Sequence, residues 1–158
     1  MDLTVRKKAL RLLTYGLYIV TSRHGEECAG GTITWLSQCS MEPPLVMAGI
    51  QQDSSLHAAI THSRAFAVHI IGRSQKNMAM SFFKTTKREG ETLNGYRFES
   101  GATGAPILAD AMAWVECRVL EEIRRGDHSV FVAEVVAAGA PRDEEPLTLR
   151  DAGFFYGG

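Results

Sequence analysis

Two long runs with strand character near the end of the chain, AMAWVECRVLEEI and SVFVAEVVAAG, are joined by the short segment RRGDH. Gly126 and Asp127 in this segment supply the turn chemistry that connects antiparallel strands. We therefore expect a long hairpin and a mainly β fold. Two further segments, LYIVTSR and AFAVHII, are also rich in residues that favour strands.

The remaining segments predict short helices and loops around these strands. The run PPLVMAGI is wholly apolar and predicts a strand buried on both faces. SSLHAAITHS predicts a short helix with a serine N-cap, SQKNMAMSFFK a second short helix, and residues 3–13 an amphipathic helix. HGEECAGG is interpreted as a turn-rich connection. Residues 85–105 are rich in Lys, Glu, Gly and Thr, which predicts a mobile surface loop.

Length and composition limit the function. A chain of 158 residues with 45% hydrophobic residues, 22% charged residues and a net charge of -1 fits one ordinary globular domain over residues 1–158. Nucleic-acid binding is disfavoured, because the chain has no broad positive field. Three cysteines without a C-x-x-C pair suit a reducing cytoplasm. No window reaches the about 18 apolar residues that a membrane span needs, so we expect a soluble, cytoplasmic protein.

Several common sites lack their motifs in this sequence. No G-x-G-x-x-G follows a strand, and neither a P-loop motif nor H-E-x-x-H occurs. The pair His57 and His62 is five residues apart, which does not place both rings on one helical face. We expect no metal site, and we interpret His57, His62 and His69 as surface or satisfied groups.

A polar ribbon directly precedes the apolar run and its serine pair. Thr32 to Trp35, with Ser37 and Gln38 after them, offers hydroxyl, amide and indole groups on a strand whose residues alternate faces. Asp53, Ser54 and Ser55 then begin a predicted helix, and a helix N-terminus favours an anion. Together these segments indicate a wall for a flat, phosphorylated ligand.

Six motifs in order resemble the flavin reductase-like FMN-binding split barrels, and the resemblance covers nearly the whole chain. They are Thr32-Ile33-Thr34-Trp35, Ser40-x-x-Pro43-Pro44-Leu45-Val46, Ser54-Ser55, FAVHII followed by Ser74-Gln75 and Phe82-Phe83, Gly104-Ala105-Pro106, and Gly126-Asp127-His128. The resemblance implies an antiparallel Greek-key split β-barrel, a homodimer, and FMN in a groove near the subunit interface.

The resemblance also implies a function and a set of site residues. It implies an NAD(P)H:flavin oxidoreductase that passes electrons to free flavin, an oxygenase or a small redox protein, with NADH or NADPH as donor. The implied catalytic residue is His128, which contacts the nicotinamide. The implied cofactor-binding residues are Thr32, Ile33, Thr34, Trp35, Ser37, Gln38, Asp53, Ser54, Ser55, Gln75, Phe83 and Lys84.

Alternatives remain open from the sequence. The protein fits a non-catalytic FMN electron carrier reduced by a separate partner, or a small β-barrel binding module without flavin. The Thr-Trp-x-x-Gln pattern is similar to the reductase-like domains joined to flavodiiron proteins and rubredoxins. Trp35 alone fits a packed indole on an edge strand, His128 a solvated turn residue, and Cys39 a small buried apolar residue.

Overall fold

The structure, a computed structural model, describes residues 1–158. Its elements are α1 (Leu3–Arg11), β1 (Tyr18–His24), β2 (Glu27–Ile33), β3 (Leu36–Ser40), β4 (Leu45–Gln51), α2 (Ser55–Ser63), β5 (Ala65–Ile70), a 3-10 turn (Arg73–Gln75), α3 (Lys76–Ser81), β6 (Arg88–Glu89), β7 (Thr92–Leu93), β8 (Tyr96–Ser100), β9 (Pro106–Leu108), β10 (Ala113–Arg125), β11 (His128–Gly139) and α4 (Leu149–Ala152). The mainly β prediction is confirmed. No helix has the length and apolar character needed to cross a membrane.

Seven strands form the main sheet, in the order β2-β1-β5-β10-β11-β4-β3, and every neighbouring pair is antiparallel. The predicted long hairpin is confirmed: β10 and β11 pair from Trp114 opposite Gly139 to Arg125 opposite His128. Gly126, at φ 64°, makes the turn between them. This hairpin places His128 at the first position of β11, beside Gln51 at the end of β4.

The two edge strands of this sheet, β2 and β3, are consecutive in the chain. Only Thr34 and Trp35 separate them. Since a residue spans at most about 3.6 Å, the sheet must curl until its two edges approach each other. The curl brings the ends of β2 and β4 to the same part of the molecule.

The strand β4 buries one face, so the prediction of burial on both faces is wrong. Val46, Ala48 and Ile50 pack in the main core, whereas the alternate residue Met47 is 42% exposed. Gly49 and Met47 are also apolar, but they belong to the outer face of the sheet. An apolar composition does not show which face of a strand the rest of the protein covers.

Residues 85–105 are not a loop, which corrects a second expectation. They contain β6, β7 and β8, which continue with β9 into a four-stranded antiparallel sheet. Leu93 and Phe98 from this region are buried. Two-residue strands are too short to show a period. The dipeptide Asn94-Gly95, with φ 49° and 87°, could have predicted the β7–β8 hairpin, because Asn-Gly favours a two-residue hairpin turn.

The helices occur as predicted, with smaller corrections elsewhere. Ser54 is the N-cap of α2, and α1 buries no residue. HGEECAGG is mostly strand, because β2 already begins at Glu27 and pairs with β1 throughout. Cys39 is exposed rather than buried, since β3 is an edge strand. Cys117, on β10, is buried, and burial raises the pKa of its thiol to about 12.

Candidate functional site

A cleft of about 420 Å³ opens where the two edges of the main sheet approach each other. Its walls are the end of β2, the β2–β3 connection, the end of β4, the start of α2, the segment after α3, the start of β11 and the segment after α4. Half of the 22 lining residues are hydrophobic. Volumes of this size and such mixed walls are typical of small-molecule sites.

Nine of the thirteen site residues proposed from the sequence line this cleft. Distant parts of the chain contribute them, and the curl of the sheet brings them together. They are Thr32, Ile33, Thr34, Trp35, Ser54, Ser55, Phe83, Lys84 and His128.

The other four proposed residues do not line the cleft. Ser37 and Gln38 are exposed and bond to the backbone of their own strand, at Gln38 O and Ser40 O. Gln75 accepts from Gly72 N–H at 3.0 Å and donates to the Asp110 carbonyl at 2.5 Å, so its amide holds the 3-10 turn in place. Asp53 is exposed beside the α2 N-terminus, and Ser54 rather than Asp53 caps the helix.

Two buried polar atoms in the cleft wall have no hydrogen-bond partner. They are Thr34 Oγ1 and Trp35 Nε1. A buried donor or acceptor without a partner is unfavourable and uncommon in folded proteins. A third unpartnered atom, Thr61 Oγ1, belongs to α2 and does not line the cleft. The first two atoms therefore mark a place where a polar ligand would complete the hydrogen bonding.

Trp35 is held in place by a glycine on the neighbouring strand. The Gly49 N–H donates to Trp35 O at 2.8 Å, and a Cβ atom at position 49 would lie 3.2 Å from Trp35 Cβ. The indole ring then lies between His128, with ring centroids 4.6 Å apart, and Tyr156, at 5.1 Å with an edge-on geometry. Gly49 thus lets the aromatic wall of the cleft approach the sheet.

One end of the cleft suits an anion. The first N–H groups of α2 have no acceptor inside the helix, and Ser55 and Leu56 from that turn line the cleft. The Ser54 hydroxyl is already engaged, because it accepts from His57 N–H at 3.1 Å and donates to Gln51 O at 2.7 Å. Lys84 also lines the cleft and belongs to none of the ion pairs of the structure. The cleft lining therefore contains both free N–H groups and a positive charge, which suit an anion.

Next to the α2 N-terminus the cleft wall also carries a chain of hydrogen bonds centred on His128, because Gln52 N–H donates to Asp127 O at 2.9 Å. Its Nδ1 lies 2.7 Å from Asp127 Oδ1, and its Nε2 lies 3.0 Å from the Tyr156 hydroxyl. The bond to His128 lowers the pKa of the Asp127 carboxyl. Burial, followed by the charges of Asp127 and Asp53, raises the pKa of Tyr156. Near neutral pH Asp127 is therefore ionised and the Tyr156 phenol is protonated.

The sequence analysis missed the cleft residues that follow α4. Phe154, Phe155 and Tyr156 line the cleft, and the Phe83 and Phe154 rings meet edge-on at 5.1 Å. Glycines flank these aromatic residues in the stretch GFFYGG. This cluster of aromatic residues between glycines is the sequence feature from which a role in the cleft could have been predicted.

Comparison with known proteins agrees with this geometry. The chain matches the flavin reductase like domain over residues 10–158, and it belongs to that family. It is 30% identical to the NADH-dependent flavin reductase StyB of Pseudomonas fluorescens over 94% of this chain and 85% of that protein.

Two solved structures share the fold. The styrene monooxygenase flavin reductase SMOB of Pseudomonas putida S12 is 29% identical, with a TM-score of 0.80 over 98% of this chain and 97% of that chain. The NADH:FAD oxidoreductase SgcE6 of Streptomyces globisporus C-1027, in complex with NAD and FAD fragments, is 26% identical. Its TM-score is 0.79 over 99% of this chain and 94% of that chain. The family resemblance predicted from the six motifs is thereby confirmed.

Proposed function

We propose that the protein is an NAD(P)H:flavin oxidoreductase that binds FMN in the cleft and reduces it with NADH or NADPH. The observation that carries this proposal is the pair of unpartnered buried atoms, Thr34 Oγ1 and Trp35 Nε1, in a cleft of about 420 Å³. Family membership and the NADH-dependent reductases among the relatives support it. Bound FMN would supply the redox chemistry by accepting hydride from the nicotinamide.

The residues of the cleft fit the flavin ring. Its pyrimidine edge needs hydrogen-bond donors and acceptors, which Thr34, Trp35 and the backbone between β2 and β3 offer. Its dimethylbenzene edge needs hydrocarbon, which the side chains of Leu56 and Phe82 in the lining supply. The Thr32 hydroxyl already donates to Ala79 O at 2.6 Å. Thr32 would therefore shape the cleft wall rather than donate a hydrogen bond to the flavin.

The anion end of the cleft fits the phosphate. Backbone N–H groups in the first turn of α2 and the Ser55 hydroxyl would bind phosphate oxygens, and Lys84 would add a compensating charge. Ser54 acts mainly by capping and orienting the helix. Asp53 lies outside the cleft lining and is exposed to solvent, which screens its negative charge from the phosphate.

His128 is the proposed contact for the nicotinamide. Hydride passes directly between two carbon atoms, so the protein orients the donor rather than forming a bond to it. The His128 ring lies against Trp35 and is fixed from behind by Asp127. A fixed imidazole at this position would hold the nicotinamide against the flavin face.

The proposed assembly is a homodimer of Greek-key split barrels. The outer face of the main sheet next to the cleft carries apolar side chains. Met47 is 42% exposed and Ile123 is 41% exposed, with Val130 and Val132 between them in register. A partner subunit covering this face would remove apolar surface from water and would border the cleft at Gly49.

The proposed electron acceptor is free flavin, an oxygenase or a small redox protein. The relatives support the oxygenase route: a solved relative is the flavin reductase of styrene monooxygenase. Another relative is the reductase component of a 4-nitrophenol monooxygenase of Rhodococcus opacus, 34% identical over 79% of this chain and 65% of that protein. In this role reduced flavin would leave the cleft to reach its consumer.

A visible spectrum and a stopped-flow experiment test the proposal together. We expect the purified protein to bind FMN, and NADH or NADPH to bleach the bound flavin. His128→Ala should slow bleaching while FMN still binds, whereas His24→Ala, at the exposed end of β1 outside the cleft, should not. Protein that never acquires flavin absorbance after incubation with FMN contradicts the proposal. Binding without bleaching by either nucleotide favours the non-catalytic electron carrier.

A further inference from the structure

The segment after α4, residues 153–158, crosses the cleft next to Trp35 and His128. We name this segment the aromatic strap. The Tyr156 ring stands edge-on to Trp35, and Gly157 lies so close that a Cβ atom there would be 3.1 Å from Trp35 Cζ2. Trp35 Nε1 is buried beneath this cover without a partner. The strap thus occupies space next to the proposed nicotinamide contact.

The outer part of the strap is weakly tethered. Phe154 N–H donates to Leu149 O at 3.2 Å, but no backbone–backbone hydrogen bond involves residues 155–158. Two side-chain bonds hold this part: Arg11 Nε donates to Gly157 O at 3.3 Å, and the Tyr156 hydroxyl contacts His128. The Phe155 ring is 82% exposed. Segments with so few bonds open at low free-energy cost.

The bond between Tyr156 and His128 uses the acceptor that a nicotinamide would need. The Asp127 carboxylate only accepts hydrogen bonds, so His128 donates to it from Nδ1. In the tautomer that carries its proton on Nδ1, Nε2 is the acceptor and the Tyr156 O–H donates to it at 3.0 Å. The carboxamide N–H of a nicotinamide would seek the same lone pair. Both donors cannot be accommodated there at once.

We infer that Tyr156 competes with the nicotinamide for His128, so that dinucleotide binding displaces the aromatic strap. The inference rests on the proposed function and adds a residue to it. When the donor binds, the strap would lose its contacts with Trp35 and His128.

Steady-state kinetics of Tyr156→Phe test the competition. This change removes the hydroxyl and keeps the ring, so the KM for NADH or NADPH should fall about two- to tenfold while kcat changes little, in proportion to one hydrogen bond. Tyr156→Ala, which also removes the ring, should lower KM at least as much. Tyr96→Phe, the same change outside the cleft lining, should leave both constants unchanged. A KM that rises in Tyr156→Phe overturns the inference, because the hydroxyl would then help bind the donor.

NMR relaxation provides a readout that does not depend on turnover, because order parameters report fast backbone motion. Saturating NAD+ added to the FMN-loaded protein should lower the order parameters of the Phe155, Tyr156 and Gly157 amides. In Tyr156→Ala the same amides should have low order parameters before NAD+ is added. Order parameters in the wild-type strap that NAD+ raises or leaves unchanged contradict displacement.

The outcomes separate this inference from the function on which it rests. Protein that binds no FMN, or whose flavin is not reduced by NADH or NADPH, contradicts the proposed function and the inference with it. Protein that reduces flavin normally, but shows a raised or unaltered KM in Tyr156→Phe, contradicts only the role of Tyr156.

Discussion

Buried polar groups behave differently in the sheet interior and in the cleft. In the interior, His69 donates from Nδ1 to Ile19 O at 2.9 Å and accepts from Leu108 N–H at 3.0 Å. Glu116, 1% exposed, accepts from the backbone of Ala102 and Thr103. In the cleft, Thr34 Oγ1 and Trp35 Nε1 have no partner.

This difference separates residues that serve the fold from residues that await a ligand. A satisfied buried group stabilises the chain on its own, whereas an unsatisfied one costs free energy until something binds. Changes in the interior should therefore alter stability and leave flavin affinity intact. Changes in the cleft should do the reverse.

The largest effect on stability is expected for Glu116→Ala. The change leaves the N–H groups of Ala102 and Thr103 and the Thr103 hydroxyl without their acceptor, which should cost about 4 kcal/mol. At about 2–4 °C per kcal/mol for a chain of this size, the melting temperature should fall by roughly 10 °C. Thermal unfolding measures the change, and FMN titration at low temperature should show unaltered affinity. Glu121→Ala, exposed on the same strand, is the matched control; an equal loss there would remove any special role for Glu116.

The next largest effect is the pH dependence that His69 confers. Burial lowers the pKa of His69 from 6.5 to about 4. The unfolded chain then binds the proton more readily, so the stabilisation is complete above about pH 6.5 and is lost as the pH falls toward 4. The full loss amounts to about 3.5 kcal/mol, because the pKa falls by about 2.5 units and each unit corresponds to about 1.4 kcal/mol. Urea unfolding of wild type and His69→Gln between pH 7.5 and 4.5 measures it. If the two proteins have parallel pH profiles, His69 is not the group responsible.

The interior was only partly predictable from the sequence. The apolar runs predicted most strands of the main sheet, because burial imposes a pattern that is visible locally. Glu116 bonds to Ala102 and Thr103, which belong to a separate loop. No local sequence pattern could have predicted this contact. The short strands β6 and β7 were missed for a similar reason, since their order comes from packing around Leu93 and Phe98.

The cleft was predictable where family motifs cover it. The motifs placed Thr34, Trp35 and His128 on its wall, although these residues are far apart in the chain. They failed for Gln75, whose amide is used by the backbone of Gly72 and Asp110. They also gave no indication of Tyr156, because a contact with His128 depends on the path of the chain after α4.

A smaller effect, confined to the cleft, is expected for Lys84→Met. Lys84 lines the cleft, and an exposed charge interaction with phosphate is worth about 1 kcal/mol, or roughly fivefold in Kd. FMN should therefore bind about fivefold more weakly, while riboflavin, which lacks the phosphate, should bind as before. Lys87→Met changes a neighbouring exposed lysine outside the lining and should alter neither affinity. Equal weakening of FMN and riboflavin would place Lys84 against the ring rather than the phosphate.

The smallest effect gives the sharpest comparison, because one chemical change is made in both regions. Thr21 and Thr34 are both buried, but Thr21 Oγ1 donates to Pro106 O at 2.5 Å whereas Thr34 Oγ1 has no partner. Thr21→Val should therefore destabilise the FMN-free protein by about 1 kcal/mol. Thr34→Val should leave its stability unchanged or raise it by a few tenths of a kcal/mol, while weakening FMN binding about threefold. Urea unfolding of both variants measures the change in stability, and FMN titration measures the change in affinity. Destabilisation of equal size in both would mean that Thr34 already has a partner inside the protein, and the cleft would then resemble the interior.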